Sequence, residues 1–215
     1  ELGQPAHDLA AGRVPPSTGG DKAIGDHIGL FPHAYLHRAV YYAGANSSRP
    51  APLHYDRALD VVVARTTVDD FILKWPIRWT DGTITRDQPG DDGMDAIGWF
   101  NTSSHNFVWG DDAYMGLTLP ARMILAGLDT EDFKYAQLCA KQSHLSVTHL
   151  RDAADELLWH GVDAKAGKHS CCKWGRANGW TLMMQAEVLD ALSQSAWPGA
   201  NGAVKAGKAA FVKHC

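Results

Sequence analysis

The stretch Trp174-Gly175-Arg176-Ala177-Asn178-Gly179-Trp180 decides the fold of this chain once the segments around it are considered. Its two glycines predict a tight, turn-rich backbone. Flat indole faces and a fork-shaped guanidinium suit a ligand with apolar ring faces and an anionic edge, such as an acidic sugar. The alternative is a Trp-rich turn of the core, and this stretch alone leaves both interpretations open.

A second segment, Trp109-Gly110-Asp111-Asp112-Ala113-Tyr114-Met115, places two carboxylates beside an indole at the start of an apolar helical run. Desolvation by Trp109 and the neighbouring charge of Asp112 both favour a protonated Asp111, which suits a general acid. The alternative is that both are helix N-terminal acids that stabilise the dipole. Asp112 is expected to be structural, because neighbouring helical residues point about 100° apart.

Composition limits the class of protein. The chain has 215 residues and a formal net charge of −4, so it forms one large or two small domains and is not expected to bind nucleic acid. No apolar run approaches the roughly 20 residues that span a bilayer, so no membrane association is expected. The four cysteines lack CxxC spacing, which argues against a zinc ribbon. Neither a metal nor another cofactor is expected. The adjacent Cys171-Cys172 could give one bridge to another cysteine or be a buried thiol pair, and the sequence leaves both open.

Two glycosylation sequons, Asn46-Ser47-Ser48 and Asn101-Thr102-Ser103, bear on location. Sequons favour an extracellular protein. Because such short patterns also occur by chance, a cytoplasmic location is the alternative.

The helical pattern indicates how the chain is organised. Residues 1–22 are rich in Gly, Pro and Ala and are expected to form a flexible lead-in, and residues 23–215 form the helical domain. Pro120 is expected to kink or restart its helix. Asp81-Gly82 and residues 156–172 are expected to form a turn and a loop or hairpin. Apolar periodicity predicts helices over about residues 24–43, 55–74, 111–125, 133–151, 178–194 and 203–214.

Paired helices with long loops between the pairs indicate an all-α toroid or solenoid. Six helices are about half of a closed twelve-helix ring. An open half ring would leave apolar faces uncovered. The expectation is therefore a partial ring, either a fragment or a chain that a partner completes.

With these motifs quoted, the chain resembles the unsaturated glucuronyl and rhamnogalacturonyl hydrolases, the six-hairpin glycosidases of glycoside hydrolase families 105 and 88. The resemblance is carried by residues 107–117, by Leu158-Trp159-His160-Gly161 and by residues 169–180, with residues 26–32 similar to fungal-type members. It implies an (α/α)6 toroid with its site at one mouth of the ring. Relative to the family, C-terminal hairpins are missing and the segment between His160 and Trp174 is short.

The resemblance also implies a reaction. Its substrates are oligosaccharides, left by polysaccharide lyases, that carry a 4,5-unsaturated uronic acid at the non-reducing end. Ordinary glycosidases use two carboxylates flanking the anomeric bond, whereas this family hydrates the double bond. One carboxyl protonates C4 and then takes a proton from the water that adds at C5. Asp111 matches that catalytic residue by position.

Further site residues follow from the resemblance, each with a structural alternative. Asp87 matches a second site carboxylate, or is a surface residue paired with Arg86. His160 would bind a sugar hydroxyl or the uronate carboxylate, or is a satisfied histidine at a strand end. Arg176 would pair with the substrate carboxylate or a ring hydroxyl, or forms a scaffold salt bridge.

The aromatic residues of the predicted substrate site are Trp109, Trp174 and Trp180. Trp174 and Trp180 would stack on sugar faces or wall the pocket, and core packing is the alternative for one of them. Asn178 is expected to cap the following helix, with a substrate contact also open.

Two rival functions remain at this point. The first is a catalytically silent carbohydrate-binding or structural toroid. The second is a helical-toroid enzyme that acts on saturated sugars and needs both Asp87 and Asp111. The oligomeric state is not predicted.

Overall fold

The computed structural model describes residues 36–37, 57–74, 80–84, 107–130, 132–163 and 168–214. Several predictions lie outside these residues: the lead-in, both sequons, and the helix over residues 24–43 except Leu36 and His37, which are helical. An extracellular location therefore stays a prediction. In the part of the chain that the structure describes, no helix combines the length and apolar character needed to cross a membrane.

The described residues are mainly helical, as the all-α prediction requires. In chain order the elements are α1 (Arg57–Thr66, continued by a π-helical stretch, Thr67–Ile72), β1 (Phe107–Trp109), α2 (Gly110–Leu125), α3 (Lys134–Leu150), β2 (Gly161–Asp163), α4 (Gly175–Gln194) and α5 (Ala200–His214).

Helix α2 is the central element, because it packs against both α3 and α4, and α5 packs on α4. Most of α2 is buried, which explains its nearly continuous apolar sequence. Pro120 lies inside it and is also buried. The helix runs through Pro120 to Leu125, so the prediction that Pro120 restarts it is wrong. Packing of α2 on two neighbours keeps it helical on both sides of Pro120, despite the hydrogen bond that proline removes.

The main core joins helices α1 to α4 and includes Leu36. Its largest side chains are apolar groups spaced at helical intervals, in agreement with the predicted periodicity. Members with no more than 2% of their surface exposed include Val68, Ile72, Leu117, Leu119, Met123, Tyr135, Cys139, Met184 and Leu192.

Local signals set two boundaries in the chain. Asp129, in the acidic segment before α3, accepts hydrogen bonds from the backbone N–H groups of Tyr135 and Ala136 at 3.1 and 3.0 Å. It thereby satisfies donors that the start of a helix leaves unpaired. The predicted turn at Asp81-Gly82 is confirmed, since Gly82 has φ +88° and the Asp81 carboxylate accepts from the N–H of Thr83.

The two short strands were not predicted. β1 and β2 pair antiparallel, with Phe107 opposite Asp163 and Trp109 opposite Gly161. A bridge between Val162 and His169 makes part of residues 156–172 a hairpin, as predicted. A small second core packs the strands against α3. It is formed by Val108, Val147, Leu150, Leu158 and Val162.

Candidate active site

The candidate active site forms where β1 passes into α2. Trp109 ends β1, and the next residue begins α2, so Asp111 stands in the first helical turn. The N–H of Gly110 donates to the carbonyl of His160 at 3.0 Å. This bond continues the strand pairing by one step and brings the segment after Leu158 alongside Asp111.

Gly110 allows this approach. A Cβ atom at this position would lie 3.2 Å from the Cβ of Ala177 and 3.6 Å from the His160 carbonyl oxygen. The hydroxyl of Thr181 on α4 also donates to the Gly110 carbonyl at 3.4 Å. The start of α2 is therefore wedged between α4 and the His160 segment, which brings together residues distant in sequence.

Asp111 receives two side-chain contacts on one oxygen. Its Oδ2 accepts from Nε1 of Trp109 at 3.1 Å and lies 3.1 Å from Nε2 of His160. The side chain of Asp111 is 24% exposed, whereas that of His160 is 2% exposed. Among the described residues no donor reaches Oδ1, which is itself buried. One oxygen is thus fixed by two contacts, and the other has no partner among the described residues.

His160 lies between two indoles. Its ring centroid is 4.5 Å from that of Trp109 and 4.7 Å from that of Trp174, both tilted by 51°. Its backbone N–H donates to the Cys172 carbonyl at 3.2 Å. The predicted direct contact of His160 with a sugar stays a prediction, and the structure points its Nε2 at Asp111.

Arg176 stacks on Trp174, with the guanidinium carbon 3.4 Å from the ring centroid. The residue is exposed. Over the ranges that the structure describes, no carboxylate lies within ion-pair distance of it, so the alternative of a scaffold salt bridge finds no support there. A stacked guanidinium has a fixed orientation and can present its fork to an anionic ligand.

Trp180 follows one turn after Arg176 on α4 and packs against Tyr114 of α2, with ring centroids 4.6 Å apart. It is partly buried on the edge of the main core. Of the two indoles in the 174–180 stretch, Trp180 therefore makes the core contact. Stacking of a sugar on either indole stays a prediction.

Two expectations for the 174–180 stretch are wrong. The segment is not a turn, because α4 begins at Gly175 and neither Gly175 nor Gly179 has a positive φ. Asn178 does not cap α4, since the N-cap position is Trp174, which makes no side-chain cap. The carboxamide of Asn178 instead bonds to the backbone of Leu158.

Asp87 lies outside the described residues, so its predicted role stays a prediction. Asp112 is 8% exposed and Asp111 more so, which agrees with the different directions expected for neighbours on a helix. Within the described ranges, no group of three or more His, Cys, Asp or Glu residues could hold a metal ion.

Two supporting residues gave no signal in the sequence. Ser170 is fully buried, and its hydroxyl donates to the Cys172 carbonyl at 2.9 Å, beside the bond from His160. Lys173 bridges Asp152 and Asp155, contacting the latter at 2.7 Å. Its hydrogen bond lowers the pKa of the Asp152 carboxyl. The Lys173 contacts join segments about twenty residues apart, which local patterns do not reveal.

A cavity of about 650 Å³ lies elsewhere, between α3, α4 and α5. None of the predicted site residues lines it. Its walls are mainly apolar side chains such as Val188, Leu192 and Trp197. The polar and aromatic groups that could carry chemistry converge instead on Asp111.

Comparison with known proteins agrees with this geometry. The family model Glycosyl Hydrolase Family 88 matches residues 55–200, well over half of the chain and all of the described site. The chain belongs to glycosyl hydrolase family 88. The comparison with curated proteins found no match. Family 88 membership indicates a glycoside hydrolase with a carbohydrate substrate, and the mainly helical structure is consistent with the all-α toroid of this family.

Proposed function

We propose that this family 88 chain removes a 4,5-unsaturated uronic acid from the non-reducing end of lyase-generated oligosaccharides of the pectin or rhamnogalacturonan type. One observation carries the proposal. Trp109 and His160 hold a single oxygen of Asp111. An exposed guanidinium, Arg176, stacks on Trp174, the indole that also contacts His160. A proton donor close to an anion-binding group matches a substrate with a reactive double bond beside a carboxylate.

In this proposal Asp111 acts first as an acid and then as a base. Its carboxyl gives a proton to C4 of the double bond, and the ring oxygen stabilises the positive charge that forms at C5. Water adds at C5 and returns a proton to Asp111. The resulting hemiketal opens, and the hemiacetal left at C1 expels the remaining sugar chain. One water is consumed and Asp111 is regenerated.

Trp109 and His160 orient Asp111. Two contacts on one oxygen fix the plane of the carboxyl before substrate arrives, which lowers the cost of reaching a reactive geometry. The proposal therefore has the buried His160 act through Asp111, because its Nε2 already faces Oδ2.

Arg176 binds the uronate carboxylate. Pairing of a planar guanidinium with a carboxylate is strong and directional. Stacking on Trp174 already restricts the side chain. Less conformational entropy is then lost when the anion binds.

The test follows the ultraviolet absorbance of the conjugated double bond while the protein acts on lyase-treated pectin. We expect the absorbance to fall with wild type and to stay constant with Asp111→Asn, while the circular dichroism spectrum is unchanged. Asp190→Asn is the matched control, because Asp190 is an exposed carboxylate on α4 that contacts only Gln194 among the described residues. Near-normal turnover by Asp111→Asn would show that another group is the acid.

The same assay separates the rival functions. A constant signal from well-folded wild type that still binds the oligosaccharide would support the catalytically silent toroid. Activity on saturated oligosaccharides that is lost in both Asp87→Asn and Asp111→Asn would support an enzyme for saturated sugars.

A further inference from the structure

The carboxamide of Asn178 binds two backbone segments at once. Its Oδ1 accepts from the N–H of Leu158 at 2.8 Å, and its Nδ2 donates to the Leu158 carbonyl at 2.9 Å. The same Nδ2 donates to the Trp174 carbonyl at 3.1 Å. The side chain therefore pairs with Leu158 as a neighbouring strand would.

Both partners lead directly into the site. Leu158 is 1% exposed and stands two residues before His160. The indole of Trp174 stacks on the guanidinium of Arg176 and contacts the ring of His160. The His160 segment has a further tie to this region, the bond from its N–H to the Cys172 carbonyl. A group that joins Leu158 to Trp174 thus fixes the distance between His160 and the start of α4.

We propose that Asn178 is a positioning residue, whose carboxamide holds the His160 segment on α4 so that Nε2 of His160 meets Asp111. It acts through His160 and needs no contact with substrate. This inference deepens the proposed function and rests on it for the kinetic readout.

The chemistry of the contact provides a specific test. Only a carboxamide of this length supplies one acceptor and two donor hydrogens together. In Asn178→Asp the shape is kept, but an ionised carboxylate would face the carbonyl oxygens of Leu158 and Trp174. The introduced carboxyl can donate to one of them only when protonated. Those two oxygens disfavour its charge, whereas the N–H of Leu158 favours it. Ionisation at the pKa of the introduced carboxyl therefore removes the bond to a carbonyl and keeps only the bond from Leu158.

The kcat of Asn178→Asp relative to wild type should depend on pH. At low pH the protonated carboxyl of Asn178→Asp restores part of the contact, and kcat should approach that of wild type. As the pH rises through that pKa, the ratio of variant to wild-type kcat should fall about tenfold or more, in line with the loss of hydrogen bonds to charged or buried groups. Asn201→Asp, on an exposed asparagine of α5, is the matched control and should keep a constant ratio. A pH-independent ratio for Asn178→Asp would overturn the inference.

Asn178→Ser covers the case in which the aspartate variant fails to fold. A serine hydroxyl can reach the Trp174 carbonyl one turn back but is too short for Leu158. We expect lower kcat, little change in KM and no new pH dependence. A kcat equal to that of wild type would contradict the positioning role.

A readout without turnover separates this inference from the proposed function. NMR of ring-labelled histidine should show the His160 resonances shifted in Asn178→Ser and unchanged in Asn201→Asp. Unchanged His160 resonances in Asn178→Ser would overturn the inference even if the enzyme is active. Shifted resonances in a protein that does not consume the unsaturated substrate would support the positioning role of Asn178 and reject the proposed reaction.

Discussion

At the residue scale, Trp109 contributes to the site through both parts of its indole. The ring N–H donates to Asp111, and the ring face packs beside His160. Because Trp109 is the last residue of β1, the strand pairing sets its position. The pairing of the strands thus sets the position of the indole that binds the carboxyl of Asp111.

In the proposed function, Arg176 binds the uronate carboxylate and so distinguishes acidic from neutral substrates. In Arg176→Ala we expect binding of an unsaturated uronyl oligosaccharide to weaken about ten- to a hundredfold, the effect of losing a hydrogen bond to a charged group. Binding of a neutral oligosaccharide should change little. Isothermal titration with both ligands measures the difference, and Asp111→Asn can be used to prevent turnover.

The control for this prediction is Arg176→Lys, which keeps the charge but loses the planar fork that stacks on Trp174. Its affinity for the acidic ligand should lie between those of wild type and Arg176→Ala. Equal losses for acidic and neutral ligands would mean that Arg176 supports the fold instead.

At the element scale, the contact between α2 and α4 determines the site, and Gly110 packs closely on Ala177 within that contact. The two helices are also joined farther along by a forked ion pair, in which Nε and Nη2 of Arg122 donate to Glu187 at 2.8 and 2.7 Å. Arg122 stands in the last turn of α2, at the opposite end of the helix from Asp111. Close packing at Gly110 therefore matters more to the position of Asp111.

Two glycine substitutions test this packing. Gly110→Ala would place a Cβ 3.2 Å from Ala177, and we expect it to lower the free energy of unfolding by about 1–3 kcal/mol. Gly179 lies inside α4, where an added Cβ would meet no described atom within 4 Å beyond the neighbouring backbone of the helix itself. Gly179→Ala should therefore raise the free energy of unfolding by about 0.5–1 kcal/mol. Urea unfolding followed by circular dichroism measures both. Destabilisation by Gly179→Ala, or none by Gly110→Ala, would contradict the packing described for these helices.

The helices were predictable from the sequence because an amphipathic helix repeats its apolar residues. The prediction of residues 133–151 for α3 differs from Lys134–Leu150 by one residue at each end. Strands of three residues are too short to show alternation, so β1 and β2 gave no such signal. Gly175 and Gly179 indicated a turn by propensity, but the core packing of Met184 and Leu192 on α4 favours a helix over the whole segment.

Candidate site residues could be proposed from the sequence, but their contacts could not. Asp111, His160 and Arg176 were predicted through the resemblance, and their roles stay predictions. The structure joins His160 to Asp111 directly and Arg176 to His160 through Trp174. Asp111 and His160 are 49 positions apart, and no spacing rule relates residues at such a separation. The exchange of hydrogen bonds between Asn178 and Leu158 was missed for the same reason.

At the scale of the whole molecule, the main core acts as one unit because α2 packs on several helices together. The reactivity of Cys139 can show whether this core opens. Its side chain is fully buried on α3, and its Sγ lies 3.8 Å from the Leu117 carbonyl of α2. Burial raises the pKa of the Cys139 thiol well above its usual value. The reactive thiolate therefore forms there only when the core opens.

Alkylation by iodoacetamide should distinguish the cysteines. We expect Cys171, which is exposed, to react in the folded protein, and Cys139 to react at least about a thousandfold more slowly, as a global unfolding free energy of about 5 kcal/mol or more implies. Peptide mass spectrometry follows each site over time. In urea both should react at similar rates. Rapid labelling of Cys139 in the native protein would show that α2 and α3 separate without global unfolding.

The pairing of β1 with β2 also has a consequence for the order of events in folding. Three residue pairs join segments more than fifty positions apart, and closing so long a loop has an entropic cost that few contacts offset. Helices form from local contacts on much shorter timescales. A refolding chain therefore regains its helical signal before Asp111 meets His160, and enzymatic competence is the last property to return.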